Sequence, residues 1–377
     1  LVGINRRMSL GLASVGIYFL TVQLVGSILA RYSRDLGVGL VGTGLLWSSA
    51  FLISFVLRPV AGHLADRTGS YLMMILGGAL ALVSSLIYLV FGTPSGLLVG
   101  RLVQGAGNAF FISPSIVAVA SAGPARMALG LRAMVISMAS IVAPLIAGFV
   151  VDSLGYKPVF FLAVLLSFAV ILTVVPEVKN REEVREKGGW REALTRTVLV
   201  LAAVASMTGM TFIGVQGLIQ VHYRDLGYPA TVYGMFLMFM GVSNTISRYI
   251  SGRISRGCVP TAISGFLLTT AGVALLYILY PAPACYLPAL VIGFGIGLTV
   301  PVVQLMVVSS VPEYVSNRAA SVYAMGFDLG GFLGPALYGY AAEVLGYAPS
   351  YVLMAIPSVG AVVLLLLVRG HGNGSTT

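Results

Sequence analysis

Arg101, Gln104 and Asn108 stand at i, i+3 and i+7 in a stretch whose other positions are apolar or small. On a helix that spacing stacks one cation and two amides on a single face. Inside hydrocarbon such a face is costly unless it meets water or protein, so it points to the lining of a central cavity. The alternative is an arginine satisfied by backbone carbonyls of neighbouring helices. Asp328 is the one carboxylate that falls deep inside an apolar run. Ionised there it needs a partner, so it either binds a proton or pairs with an arginine. Gln23 lies past the midpoint of the first run, Gln216 and Gln220 share a face of the seventh, Asn244 is midway along the eighth and Gln304 follows the Gly-rich start of the tenth. Each is either a cavity contact or interhelical glue. Covalent chemistry has no residues to carry it. His63, His222 and His371 are spread over loops and tail without metal-ligand spacing, no nucleophile has a base beside it, and phosphate-binding glycine loops are absent. Neither an enzyme nor a bound cofactor or metal is expected.

These side chains need a membrane scaffold, and the composition supplies one. The chain is 58% hydrophobic and 9% charged with mean hydropathy +0.97, whereas soluble domains are about 25% charged. A bilayer core needs roughly 20 apolar residues per helix. Twelve such runs lie near 8–30, 39–62, 71–92, 96–122, 127–150, 157–176, 197–221, 230–252, 260–281, 284–310, 318–344 and 348–368. They are continuously apolar, not alternating, which specifies helices and excludes a barrel. The first exceeds a signal-peptide core and reads as a retained helix. The net charge of +10 is distributed by side: with both ends on one face, that face carries fifteen of the 22 cations, the other four, and Arg58, Arg101 and Arg248 lie inside helices. The positive-inside rule then puts both termini in the cytoplasm, and nucleic acid is not needed to explain the charge. Cys258 and Cys285 fall on opposite sides, so no disulfide is expected.

The chain also repeats itself. Arg34-Asp35-Leu36-Gly37 recurs as Arg224-Asp225-Leu226-Gly227. The offset of 190 continues through Gly44 and Gly234, Arg58 and Arg248, Gly62 and Gly252, then Gly105 and Gly295. It becomes 191 at Pro144 and Pro335, Gly148 and Gly339, and Leu154-Gly155-Tyr156 against Leu345-Gly346-Tyr347. The expected organisation is an N-terminal six-helix bundle over 1–176, a charged cytoplasmic linker over 177–196 and a C-terminal six-helix bundle with a short tail over 197–377. Two similar bundles can rock about a shared midplane site. The counterpart of Arg101 is Val291, so the polar stripe belongs to one half, which favours function over architecture.

Between the second and third runs stands Arg58-Pro-Val-Ala-Gly62-His-Leu-Ala-Asp66-Arg67-Thr-Gly69, read as a short charged turn. Gly62 would allow close helix approach, Asp66 would accept from amides at the start of a facing helix, and Arg67 would sit among headgroups. Its weaker copy is Arg248, Gly252, Arg253 and Arg256. The run G-x-L-A-D-R-x-G resembles the loop between helices 2 and 3 of the major facilitator superfamily of secondary transporters, although Ser70 and Tyr71 replace the usual basic residues. Arg101-Leu-Val-Gln104-Gly105-Ala-Gly107 resembles the family's helix 4 motif, whose arginine is implicated in proton coupling or substrate binding. Ala143-Pro144-Leu-Ile-Ala147-Gly148 is similar to its antiporter motif in helix 5, with two glycines replaced by alanine. The resemblance implies an all-α integral membrane fold of twelve helices in two pseudo-symmetric bundles, acting as a monomer in the plasma membrane among lipids. It implies alternating access, with Arg58, Gly62, Asp66, Arg67, Gly69, Pro144, Gly148, Arg248, Gly252 and Pro335 in the moving parts. Because helix 11 abuts helix 2 in that family, a pair between Arg58 and Asp328 is expected. Proton-coupled efflux of a lipophilic or sugar-like small molecule is the first expectation. Uptake of a small organic anion, suggested by Arg58, Arg101, Arg248 and Arg132, is the second.

Overall fold

The computed structural model describes residues 5–178, 190–251, 257–312 and 315–372. Twelve long helices account for nearly all of them: α1 (Arg6–Asp35), α2 (Leu40–Thr68), α3 (Ser70–Val90), α4 (Pro94–Ala120), α5 (Ala125–Leu154), α6 (Tyr156–Val174), α7 (Arg196–Asp225), α8 (Ala230–Ser251), α9 (Cys258–Leu279), α10 (Tyr286–Ser309), α11 (Ser316–Leu345) and α12 (Tyr347–Gly372). A short helix, Trp190–Ala193, precedes α7. The rest of the charged linker, 179–189, lies outside the described residues, as does Gly252.

Apolar runs become helices because hydrocarbon offers backbone N–H and C=O groups no other partner. Polar residues at the ends fix the boundaries. Asn5 caps α1, its side chain accepting from the Met8 amide at 2.7 Å, and Thr93 caps α4 by accepting from the Gly96 amide at 3.2 Å. Ten of the twelve are long and apolar enough to cross a membrane. The other two, α8 and α11, have the length but are diluted by Asn244 and Arg248, and by Asp328 and several glycines.

The largest departure from expectation is the charged stretch after Arg58. It is not a turn: α2 stays helical through Thr68, whose hydroxyl donates to the Leu64 carbonyl at 2.9 Å. The chain reverses at the single residue Gly69, at φ 96°. Charged residues end an apolar run without ending the helix, because Asp, Arg and Thr side chains leave the backbone hydrogen-bond ladder intact. Gly155 and Gly346 make the same one-residue reversal at φ 81° and 85°, a conformation for which only glycine lacks a steric penalty.

The chain divides into two compact units. The first holds Leu1–Gly39, Ser49–Arg185 and Tyr223–Met238; the second holds Leu40–Ser48, Glu186–His222 and Phe239–Thr377. In the first, a core of Val15, Tyr18, Tyr71, Met74, Phe111 and Val170 joins α1, α3, α4 and α6. In the second, Leu201, Val204, Phe266, Val303, Tyr323 and Leu365 join α7, α9, α10, α11 and α12.

Candidate functional site

In the first unit the predicted stripe on α4 is resolved into two polar contacts. Arg101 donates from Nη1 to Gln104 Oε1 at 2.7 Å, and the Tyr88 hydroxyl of α3 donates to the same oxygen at 3.2 Å. All three side chains are buried. Tyr88 reaches α4 because Gly100 leaves room for its ring. One turn onward, Asn108 is half-buried and accepts from the Tyr18 hydroxyl of α1 at 2.9 Å, while the Tyr18 ring stacks on Phe111 at 3.8 Å and 3°. Spacing found the face; it gave no sign of Tyr88 and Tyr18, which come from other helices.

Gln23 of α1 donates to Ser140 of α5 at 2.9 Å. Between the same two helices, α1 and α5, lies an open groove of about 240 Å³ lined by Gly16, Leu20, Val135, Met138, Ala139 and Val142. Every lining group is apolar. Further along the unit, two guanidiniums flank α4: Arg58 donates to Ser113 at 2.9 Å and to Ser54 at 3.3 Å, and Arg132 of α5 donates to Ser115 at 3.0 Å and to the Ile112 carbonyl at 3.2 Å. Ser113 and Ser115 are functional candidates that sequence reading missed, since lone serines in apolar runs are common and silent.

In the second unit Gln216 and Gln220 are buried on α7, Asn244 on α8 and Asp328 on α11, whereas Gln304 of α10 is exposed. Arg248 lies beside the buried Tyr323. His222 departs from its expected loop position. It is buried inside α7, with Nδ1 2.7 Å from the Tyr351 hydroxyl and its ring stacked on Tyr347 at 4.2 Å. An apolar run was drawn to end too soon here, because α7 extends four residues beyond it to Asp225. Among the described residues no group of His, Cys, Asp or Glu could hold a metal.

Two similar helical units, buried polar side chains at mid-helix and, among the described residues, no catalytic constellation fit a carrier. Residues 11–335 match the family model of the Major Facilitator Superfamily. The chain belongs to the major facilitator superfamily. It is therefore a multi-pass membrane transporter and not an enzyme. Among curated major facilitators it is 24% identical over 389 residues to the quinolone resistance protein NorA of Staphylococcus aureus (strain MRSA252), covering 96% of each chain. It is 24% identical over 375 residues to the multidrug resistance protein MdtG of Dickeya zeae (strain Ech586), covering 93% of this chain and 92% of that one. Among solved structures the fold matches the POT family transporter PepTSo at TM-score 0.83 and 12% identity, covering 98% and 99% of the two chains. It matches the human organic anion transporter MFSD10 (TETRAN) at TM-score 0.73 and 16% identity, covering 96% and 99%.

The stretch that resembles the superfamily's signature is positioned as follows. Arg58 and Pro59 lie within α2, Arg67 is exposed in its last turn, and Gly69 makes the reversal. Asp66 is in the same turn, with its side chain outside the described residues. A Cβ added to Gly62 would meet nothing within 4 Å among the described residues, so the expected close helix approach is not made there. Close approach occurs instead at the two Pro-Gly segments of this major facilitator. A Cβ on Gly148 would come within 2.8 Å of the Ala230 carbonyl, and one on Gly234 within 2.6 Å of the Pro144 carbonyl, in the first unit. In the second unit Gly44 lies against the Pro335 carbonyl, and a Cβ on Gly339 would be 2.8 Å from the Leu40 carbonyl. Pro144 and Pro335 thus sit in repeat-related small-residue contacts, between α5 and α8 and between α11 and α2.

Proposed function

We propose that this transporter is a proton-coupled exporter of lipophilic small molecules, working as a monomer by rocker-switch alternating access in the plasma membrane. Both termini would be cytoplasmic, as the distribution of arginine and lysine favours. The residue ranges 1–176 and 197–377 would be the moving bundles and 177–196 their linker. The observation that carries the reading is the groove between α1 and α5. Its wall is apolar throughout. Gln23 and Ser140, joined by their own hydrogen bond, belong to the same two helices and do not line the groove. An apolar wall suits a lipophilic molecule. The quinolone and multidrug resistance for which NorA and MdtG are named agrees with that chemistry.

Asp328 is buried, which makes it the natural proton carrier. Its protonation would bias the cycle toward one conformation. No cofactor enters this scheme. A second reading, transport of a small organic anion, is favoured by Arg132, whose guanidinium meets a hydroxyl and a carbonyl, and by the organic anion named for one fold relative.

The test uses purified protein in proteoliposomes with an imposed pH gradient and a fluorescent lipophilic cation as substrate. Gradient-driven transport is expected. Met138→Trp, which fills the groove, should raise KM about tenfold with an unchanged melting temperature, and Asp328→Asn should remove the dependence on the gradient. If small carboxylates stabilise the protein and lipophilic cations do not, and that stabilisation is lost in Arg101→Ala, the anion reading replaces it.

A further inference from the structure

The duplicated tetrapeptides do more than mark the repeat. At the end of α1 far from the N-terminus, Arg34 Nη2 is 3.0 Å from Asp225 Oδ2. Arg224 Nε is 2.7 Å from Asp35 Oδ1, and its Nη1 is 3.0 Å from Asp225 Oδ1. Each copy therefore supplies the arginine for the other copy's aspartate. Arg31 adds a bond to the Tyr228 carbonyl at 2.7 Å, and the Tyr156 hydroxyl donates to Asp35.

A second repeat-related set lies on the neighbouring helices. Asp152, in the last turn of α5, accepts from the Ala230 and Thr231 amides at 2.7 and 2.8 Å and from the Thr231 hydroxyl at 2.5 Å. Its counterpart 191 residues on is Glu343 of α11, which accepts from the Val41 amide at 3.1 Å. Both acceptors meet the first amides of a helix, α8 for Asp152 and α2 for Glu343. Those amides have no intrahelical partner, and the helix N-terminus favours a negative charge. Each acid thus caps a helix that is distant in sequence, just beyond the Pro-Gly contact that packs the same two helices. Ion pairs and caps between separate helices depend on the helices staying together. They are partly exposed, so they cost little to break and can be remade in every cycle.

We propose that the crossed pairs Arg34–Asp225 and Arg224–Asp35, with the caps made by Asp152 and Glu343, form a repeat-symmetric latch. The latch holds the far ends of α1 with α7, α5 with α8 and α2 with α11 closed, and releases them for substrate to pass that face. These six residues position the helices and do not bind substrate. The inference rests on the alternating-access reading given above.

Full-length protein in nanodiscs tests it, with Cys258→Ser and Cys285→Ala and nitroxide labels at Leu36→Cys and Leu226→Cys, the residues that follow Asp35 and Asp225. Interspin distances are measured with and without a lipophilic cation, at two pH values. A short distance is expected in the otherwise intact protein. Arg34→Ala with Arg224→Ala should add a longer distance, the open fraction rising up to about fivefold for each pair removed. Asp152→Ala with Glu343→Ala should do the same. A fourfold charge exchange, Arg34→Asp, Asp35→Arg, Arg224→Asp and Asp225→Arg, should restore the short distance, which a general loss of folding would not. If every latch variant keeps the short distance while the cation still lengthens it in the intact protein, the latch is overturned and alternating access survives. If the variants lengthen it but neither cation nor pH moves the intact protein, the ties are supported and the alternating-access reading fails.

Discussion

Gln104 accepts at one oxygen from both the Arg101 guanidinium and the Tyr88 hydroxyl, so a single amide holds a cation and a phenol inside the first unit. Replacing it by Leu removes an acceptor from a buried charge. The expected cost is about 1–3 kcal/mol, seen as a lower unfolding midpoint in detergent. Tyr88→Phe removes one neutral bond and should cost about 1 kcal/mol. A Gln104→Leu protein as stable as its parent would mean that this oxygen does not hold the arginine. At this scale the sequence was half legible. The i, i+3, i+7 spacing put Arg101, Gln104 and Asn108 on one face because helical period is a local property. Which helix that face meets is not local: Tyr88 and Tyr18 enter from α3 and α1, and an aromatic residue in an apolar run looks the same whether it donates a hydrogen bond or faces lipid. The histidine at 222 was misplaced for a similar reason, since its polarity suggested a loop while the tyrosines that bury it come from α12.

Helices approach closely only where side chains permit it, and the two glycines of greatest interest behave oppositely. Gly148 leaves no room for a methyl group against the Ala230 carbonyl, whereas Gly62 has open space among the described residues. Gly148→Ala is therefore expected to destabilise by about 1–3 kcal/mol. Gly62→Ala should stabilise by up to about 1 kcal/mol through helix propensity. Thermal unfolding of both variants checks the contrast, and equal midpoints would contradict it. If Gly62→Ala proves stable but fails to transport, the glycine matters in another conformation. Apolar runs between polar turns located all twelve helices, even α8 and α11, whose apolar character is diluted by polar residues and glycines. Hydropathy misjudged the end of α2, where Leu64, Ala65 and a capping glycine prolong the helix past the point at which charges begin. Hydropathy reports solvent, and helix propensity decides where the hydrogen-bond ladder stops.

Across the whole molecule the repeat was the most legible property, since identical turns at a fixed offset require no structural knowledge. Its geometric meaning was not. Nothing in Arg34-Asp35 announces a partner in Arg224-Asp225, and Asp152 and Glu343 differ in residue type, which hides their equivalence. Repeat-related glycines give a prediction of their own. Gly155→Ala and Gly346→Ala each force a side chain into positive-φ backbone with ψ near 180°, a region essentially confined to glycine, and should destabilise by about 1–3 kcal/mol apiece. The two unfolding midpoints are expected to fall together. These reversals also decide where the chain has slack. Only one residue separates α2 from α3, α5 from α6 and α11 from α12, whereas 36–39 and 226–229 give α1–α2 and α7–α8 four residues each. A screw or piston movement of α5 has no spare chain to pay out and must drag α6 with it, as α11 must drag α12. The two helices of such a hairpin share their axial position at the reversal, and among the described residues the longer connections are where neighbouring helices have slack to slide.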